Sequence, residues 1–72
     1  MDEELDKDVE NWFTYHPPTG TQQSRYAHIR DTAKVLAYAI KSMTPVCADR
    51  TAALRKLREC VMTANAAIAC NE

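Results

Sequence analysis

Apolar residues recur along this chain in two helical rhythms separated from the amino-terminal part by one stiff turn. Tyr26, Ile29, Ala33, Leu36, Ile40 and Met43 are spaced three, four, three, four and three, and Leu54, Leu57, Val61, Ala64 and Ile68 repeat the same heptad seam. These spacings predict a first long helix over about 22–43 and a second over about 49–71, with Pro45 stopping the first. Thr19 or Thr21 is expected to cap the first helix, and Asp49 or Thr44 the second. Upstream, Leu5, Val9, Trp12 and Phe13 fall at spacings of four, three and one. A short amphipathic helix over about 3–11 is therefore expected to dock its apolar side on the body, with Trp12 as anchor. The fold class that follows is all-α: a short leading helix, then an antiparallel two-helix hairpin, in one domain spanning 1–72. Its parts are an acidic leading segment (about 1–12), a turn (13–21) and the two long helices.

The seams do not exhaust the apolar surface. Val35, Ala37, Tyr38 and Ala39 lie off the first, while Ala52, Cys60, Met62, Ala66 and Ala69 lie off the second. Two antiparallel helices bury one stripe each, so the surplus implies further copies packed against the hairpin. Length points the same way, because a solitary core in a chain of 72 residues is marginal without metal, disulfides or partner subunits. Cys60 and Cys70, ten positions apart on one helix, are separated by about 15 Å, too far for a disulfide. With three cysteines, no basic start leading into an apolar run and no apolar run long enough to span a bilayer, the expectation is a reduced, cytoplasmic protein with buried or half-buried thiols. No CxxC or HxxxH spacing supports a metal site, and no cofactor is expected. Oligomerisation remains.

Charge is unevenly placed. The formal net charge is −1, yet the first ten residues hold six acids and one lysine, a local −5, against +4 for the remainder. The acidic run reads as a solvated helix. Arg50, Arg55, Lys56 and Arg58 surround the second helix instead of lining one face, which disfavours duplex nucleic acid as a partner.

The candidate chemistry lies in the turn and the helix after it. Pro17 forces His16 out of the α region and Pro18 does the same to Pro17, so Tyr15 to Pro18 is expected to be extended and stiff, with Gly20 turning the chain. Arg30 and Lys34, four apart, project from one side of the first long helix, and Lys41 continues that side. A ring held in a stiff turn beside two cations suits a purine base and its phosphates. The plain alternatives are a ring covering a helix end and a solvated basic edge. A closed two-fold dimer would bring a second Tyr15 and a second Arg30 to face the first pair. Asn65, among alanines in the most apolar part of the second helix, needs a partner from a neighbouring helix or a ligand.

An enzyme is hard to assemble from these residues. There is no Gly-rich phosphate loop, no Ser/His/Asp set and no carboxylate pair in a plausible pocket, so no catalytic residue is assigned.

Phe13-Thr14-Tyr15-His16-Pro17-Pro18, Arg25-Tyr26, Ile29-Arg30, Ala33-Lys34 and Val61-Met62-Thr63-Ala64-Asn65-Ala66-Ala67-Ile68-Ala69 together resemble the phage anti-CBASS proteins that act as cyclic-oligonucleotide sponges. The likeness covers about 13–71. It implies a homohexamer in the host cytoplasm that binds cyclic dinucleotides such as cyclic GMP-AMP without cleaving them, and no membrane partner. By position, the tyrosine that stacks on a base is Tyr15 and the phosphate-contacting cation is Arg30, with His16, Pro17, Thr32 and Lys34 as neighbours. Some relatives also hold cyclic trinucleotides or cyclic ADP-ribose-type signals. Thr63 stands where relatives often carry tryptophan, and Cys70 where they often carry a basic residue, so no trinucleotide site is assigned. Cys47 occupies what looks like a serine cap position in relatives. The competing reading is a small helical oligomeric regulator that binds a host protein or DNA.

Overall fold

A computed structural model describes residues 2–72 and resolves the two seams into α2 (Gln22–Met43) and α3 (Ala48–Asn71), preceded by α1 (Glu3–Trp12). The chain is all-helical, with a short leading helix and a two-helix hairpin. Glu3, Glu4 and Asp6 fill the first turn of α1, where carboxylates complement the positive end of the helix dipole.

The helix caps differ from expectation. Thr21 occupies the N-cap of α2 but makes no side-chain cap bond; its hydroxyl accepts from Arg25 Nε at 3.1 Å instead. The reach-back is made by Gln22, whose Oε1 accepts from the Thr19 N–H at 3.1 Å. Gly20 adopts φ +55°, the left-handed conformation that turns the chain into α2. At the other end, Thr44 is extended at ψ 152°, as a residue before proline must be, and α2 stops there. Neither Thr44 nor Asp49 caps α3: the Thr44 hydroxyl turns back to Ile40 O, and the N-cap position belongs to Cys47, extended and without a side-chain bond. A thiol is a poor acceptor, so the helix starts with its first amides unsatisfied by a side chain.

The α3 seam packs as read. Leu54, Leu57, Val61 and Ala64 are half-buried and Ile68 is buried. The α2 seam drifts: Leu36 is 50% exposed and Ala37 takes its place beside Ala33 and Ile40. A straight helix has 3.6 residues per turn, so a strict heptad walks off the contact line unless the helices supercoil.

The molecule is a plate. Its extents are 48 × 33 × 13 Å and its radius of gyration 15.8 Å, where a globular chain of this length has about 11 Å. Thirteen ångströms is one helix thick. A single layer cannot enclose a core, and among the described residues only Ile68 and Gln22 are buried. The expected docking of α1 is made only in part: α1 touches α3, yet Leu5, Val9 and Trp12 stay about half exposed and Trp12 is no buried anchor, because a one-layer plate gives them little to pack against. Cys47 and Cys60, expected to be at least half-buried, are exposed for the same reason. Among the described residues no helix is long and apolar enough to cross a membrane.

Candidate functional site

The turn after α1 holds its tyrosine by side-chain bonds on either side. Pro17 and Pro18 have no N–H to give, and Thr14 to His16 form no backbone ladder. Instead the Thr14 hydroxyl donates to Glu10 O, and His16 Nε2 donates to Asn11 O at 2.7 Å. A carbonyl only accepts, so this nitrogen carries the proton. Tyr15, between the two, is 81% exposed, and Phe13 is 83% exposed. Asn11 extends the chain of bonds: its Nδ2 donates to Cys70 O at 2.8 Å, tying the end of α1 to the end of α3.

Arg30 and Lys34 share a groove between α2 and α3. Its volume is about 340 Å³, its floor is Ala33, Ala37, Leu57 and Val61, and Arg58 joins the two cations at its edge. That size suits a small molecule, and a fixed-charge rim over an apolar floor suits an anion attached to flat rings. The groove is lined by α2 and α3 alone, so Tyr15, His16 and Pro17 do not join the cations of their own chain in it. Thr32 also stands apart. It lines a groove of about 290 Å³ with His28, Ile29 and Cys60, and its hydroxyl donates to His28 O at 2.8 Å. Two residues along a helix is about 200° of rotation, which puts Thr32 and Arg30 on opposite faces.

Arg30 borders a third groove, about 420 Å³, with Tyr26 and Asn65. Asn65 Oδ1 is buried there with no hydrogen-bond partner. A buried acceptor left unpaired costs about 1–3 kcal/mol, so the single chain carries an unsatisfied polar group at this point of α3.

Sequence reasoning passed over Asn11, Glu72 and Arg58 as members of this arrangement. Arg58 was one of four scattered basic residues until α3 packed on α2. Asn11 bonds Cys70 across 59 positions and Glu72 bonds Arg25 across 47, separations that no spacing rule reaches.

The Acb2/Tad1 hairpin domain family matches residues 5–69. The chain belongs to this family. Acb2/Tad1 proteins are the anti-CBASS sponges of phages, so the resemblance carried by the Tyr15 turn and the α3 alanine run is correct at the level of the family. No curated protein and no solved structure matches the chain. Within the Acb2/Tad1 domain, residues 5–69 take in most of α1, the turn and all three grooves, and stop just short of the Asn11 acceptor Cys70.

Proposed function

We propose that this protein sequesters cyclic oligonucleotide second messengers, cyclic dinucleotides such as cyclic GMP-AMP among them, without cleaving them, and so blocks CBASS-type immune signalling in the host cytoplasm. Membership of the Acb2/Tad1 family supports the ligand class. The observation that carries the reading is the division of labour within one chain: an outward-facing Tyr15 fixed on one side, and a groove edged by Arg30, Lys34 and Arg58 that its own turn does not line.

Each half is completed by a second copy. A two-fold partner brings its Tyr15 over the cations of the first chain and receives the first chain's Tyr15 in return. The result is a pocket with two rings and at least two cations, matched to a ligand with two bases and two phosphates. The exposed Val35, Tyr38, Met43 and Met62 supply apolar surface for packing such copies into a closed oligomer, for which we propose a hexamer. Binding is the whole of the activity: catalysis would need a nucleophile or base beside the groove, and its edge is made of cations that ground-state phosphates satisfy.

The test is retention and release. The protein is mixed with 3′,3′-cyclic GMP-AMP, the complex held on a filter is heated, and the filtrate is analysed by chromatography. Intact ligand in the filtrate is expected. A linear dinucleotide would mean phosphodiesterase activity; no retention of this ligand, nor of any other cyclic dinucleotide or trinucleotide put through the same assay, would overturn the reading.

A further inference from the structure

We infer that His16 and Asn11 are positioning residues that hold Tyr15 in its binding pose, and that the imidazole of His16 acts through this clamp instead of through contact with ligand. The inference rests on the sequestration reading and assigns these residues' roles within it.

Pro17 and Pro18 stiffen the far side of the turn that carries Tyr15, but from Thr14 to His16 it makes no backbone hydrogen bonds that would tie it to the body. The fixing groups are the two side chains that flank the ring. Thr14 reaches back to Glu10 O and His16 to Asn11 O, both carbonyls in the last turn of α1 that lack an intrahelical donor. The second bond occupies the Nε2–H of His16, so that nitrogen has no donor left for a phosphate.

A clamp needs a fixed base, and Asn11 supplies it. The Asn11 amide donates to Cys70 O, itself one of the spare carbonyls at the end of α3, across 59 positions of sequence. The last turn of α1 is thus tied to the plate at the point where the turn is tied to α1. Since the apolar side of α1 is only about half covered in this chain, this amide bond is the polar link that sets where the turn sits. Holding a ring in place before the ligand arrives removes ordering entropy from the binding step.

Three variants separate positioning from contact. His16→Gln keeps an N–H donor and loses the ring; His16→Phe keeps a ring and loses the donor; Asn11→Asp is isosteric and loses the donor to Cys70. With 3′,3′-cyclic GMP-AMP titrated calorimetrically, His16→Gln is expected to bind within about threefold of the unaltered chain, while His16→Phe and Asn11→Asp weaken binding by about tenfold or more. Equal losses in His16→Gln and His16→Phe would mean the imidazole touches ligand. Retention in His16→Phe with loss in His16→Gln would mean it stacks. Unaltered binding by Asn11→Asp would remove the link to α3. Any of these overturns the inference, as does loss of helix or assembly in the variants, because the bonds would then hold the fold and not the turn.

A ligand-free readout keeps the test separate from the sequestration reading. Chymotryptic cleavage after Phe13 and Tyr15 should quicken about tenfold in His16→Phe and Asn11→Asp but not in His16→Gln, since cutting follows opening of the turn. Equal cutting rates in all four proteins would refute the clamp even where ligand binds. Failure of the unaltered chain to bind any cyclic dinucleotide, with the cutting order as expected, would refute sequestration and leave the clamp standing.

Discussion

Arg25 Nη1 donates to Glu72 Oε2 at 2.7 Å while Arg25 Nη2 reaches Glu72 Oε1, a two-pronged ion pair that spans 47 positions and closes the open end of the hairpin. Gln22 Nε2 adds a bond to Glu72 Oε1 at 3.4 Å, so the buried start of α2 and the end of α3 share one carboxylate. The Arg25 hydrogen bonds, followed by the Gln22 bond, hold the Glu72 carboxyl down at about 2, against 4.5 for an ordinary glutamate. A lowered carboxylate contributes stability that is complete above its unfolded value of 4.5 and is lost as pH falls through the folded value of about 2. Both side chains are 42% exposed, so added salt weakens the effect. Thermal melts at low salt from about pH 5 to about pH 2 should therefore show a steeper loss for the unaltered chain than for Glu72→Gln. Parallel curves would mean the pair contributes nothing.

The α3 N-cap is open to improvement. Cys47 has the extended backbone of a cap and no side-chain bond. Cys47→Ser places a good acceptor over the first-turn amides and should stabilise the fold by about 0.5–2 kcal/mol. In a chain of this size each kcal/mol is worth about 4–8 °C in melting temperature, compared at one protein concentration. An unchanged melting temperature would show that Thr44 or Asp49 moves in to cap.

In the proposed pocket Tyr15 and Arg30 would bear on the ligand from separate chains. Tyr15→Ala removes a stacking platform worth about 1–3 kcal/mol per base. Arg30→Ala removes charge-assisted bonds worth about 1.5–3 kcal/mol each. Both occur twice in a two-fold pocket, so each variant should lose cyclic dinucleotide retention at micromolar protein while sedimenting as the unaltered oligomer. Thr32→Ala, on the opposite face, should bind as the unaltered chain does if the pocket is the groove edged by Arg30. A loss in Thr32→Ala would move the pocket to the other face.

Much of this architecture can be read from residue spacing. The α3 seam is carried by four Leu, Val and Ile residues at heptad positions, and Pro45 ends α2 by forbidding helical backbone at Thr44. Spacing failed where a choice between near-equal neighbours is made by packing: Ala37 replaces Leu36 because a straight helix drifts, and Gln22 satisfies the turn where Thr19 or Thr21 was expected to cap. It failed altogether for Asn11 with Cys70 and Arg25 with Glu72, since contacts between chain ends leave no periodic trace. The turn's stiffness was legible in Pro17 and Pro18. What holds it was not, because the acceptors are backbone carbonyls of Glu10 and Asn11, which no residue type announces.

Asn65 tests the proposed contact between copies. Its Oδ1 is buried and unpaired in the single chain, so packing of a second copy that opens this side chain to a donor would stabilise the assembly. Asn65→Leu should then raise the concentration at which the oligomer half-dissociates by about tenfold, as measured by dilution in sedimentation equilibrium. If the oxygen remains unpaired in the assembly, the same substitution tightens it instead.

The central claim is that copies of a one-layer plate complete a cavity that no single chain possesses. Sedimentation velocity of the purified protein with 3′,3′-cyclic GMP-AMP, followed at the ligand's absorbance, tests it most directly. The account predicts that the ligand moves with a closed oligomer and that no ligand moves with a monomer. Ligand travelling with a monomer, or a stable monomer beside free ligand, would contradict it.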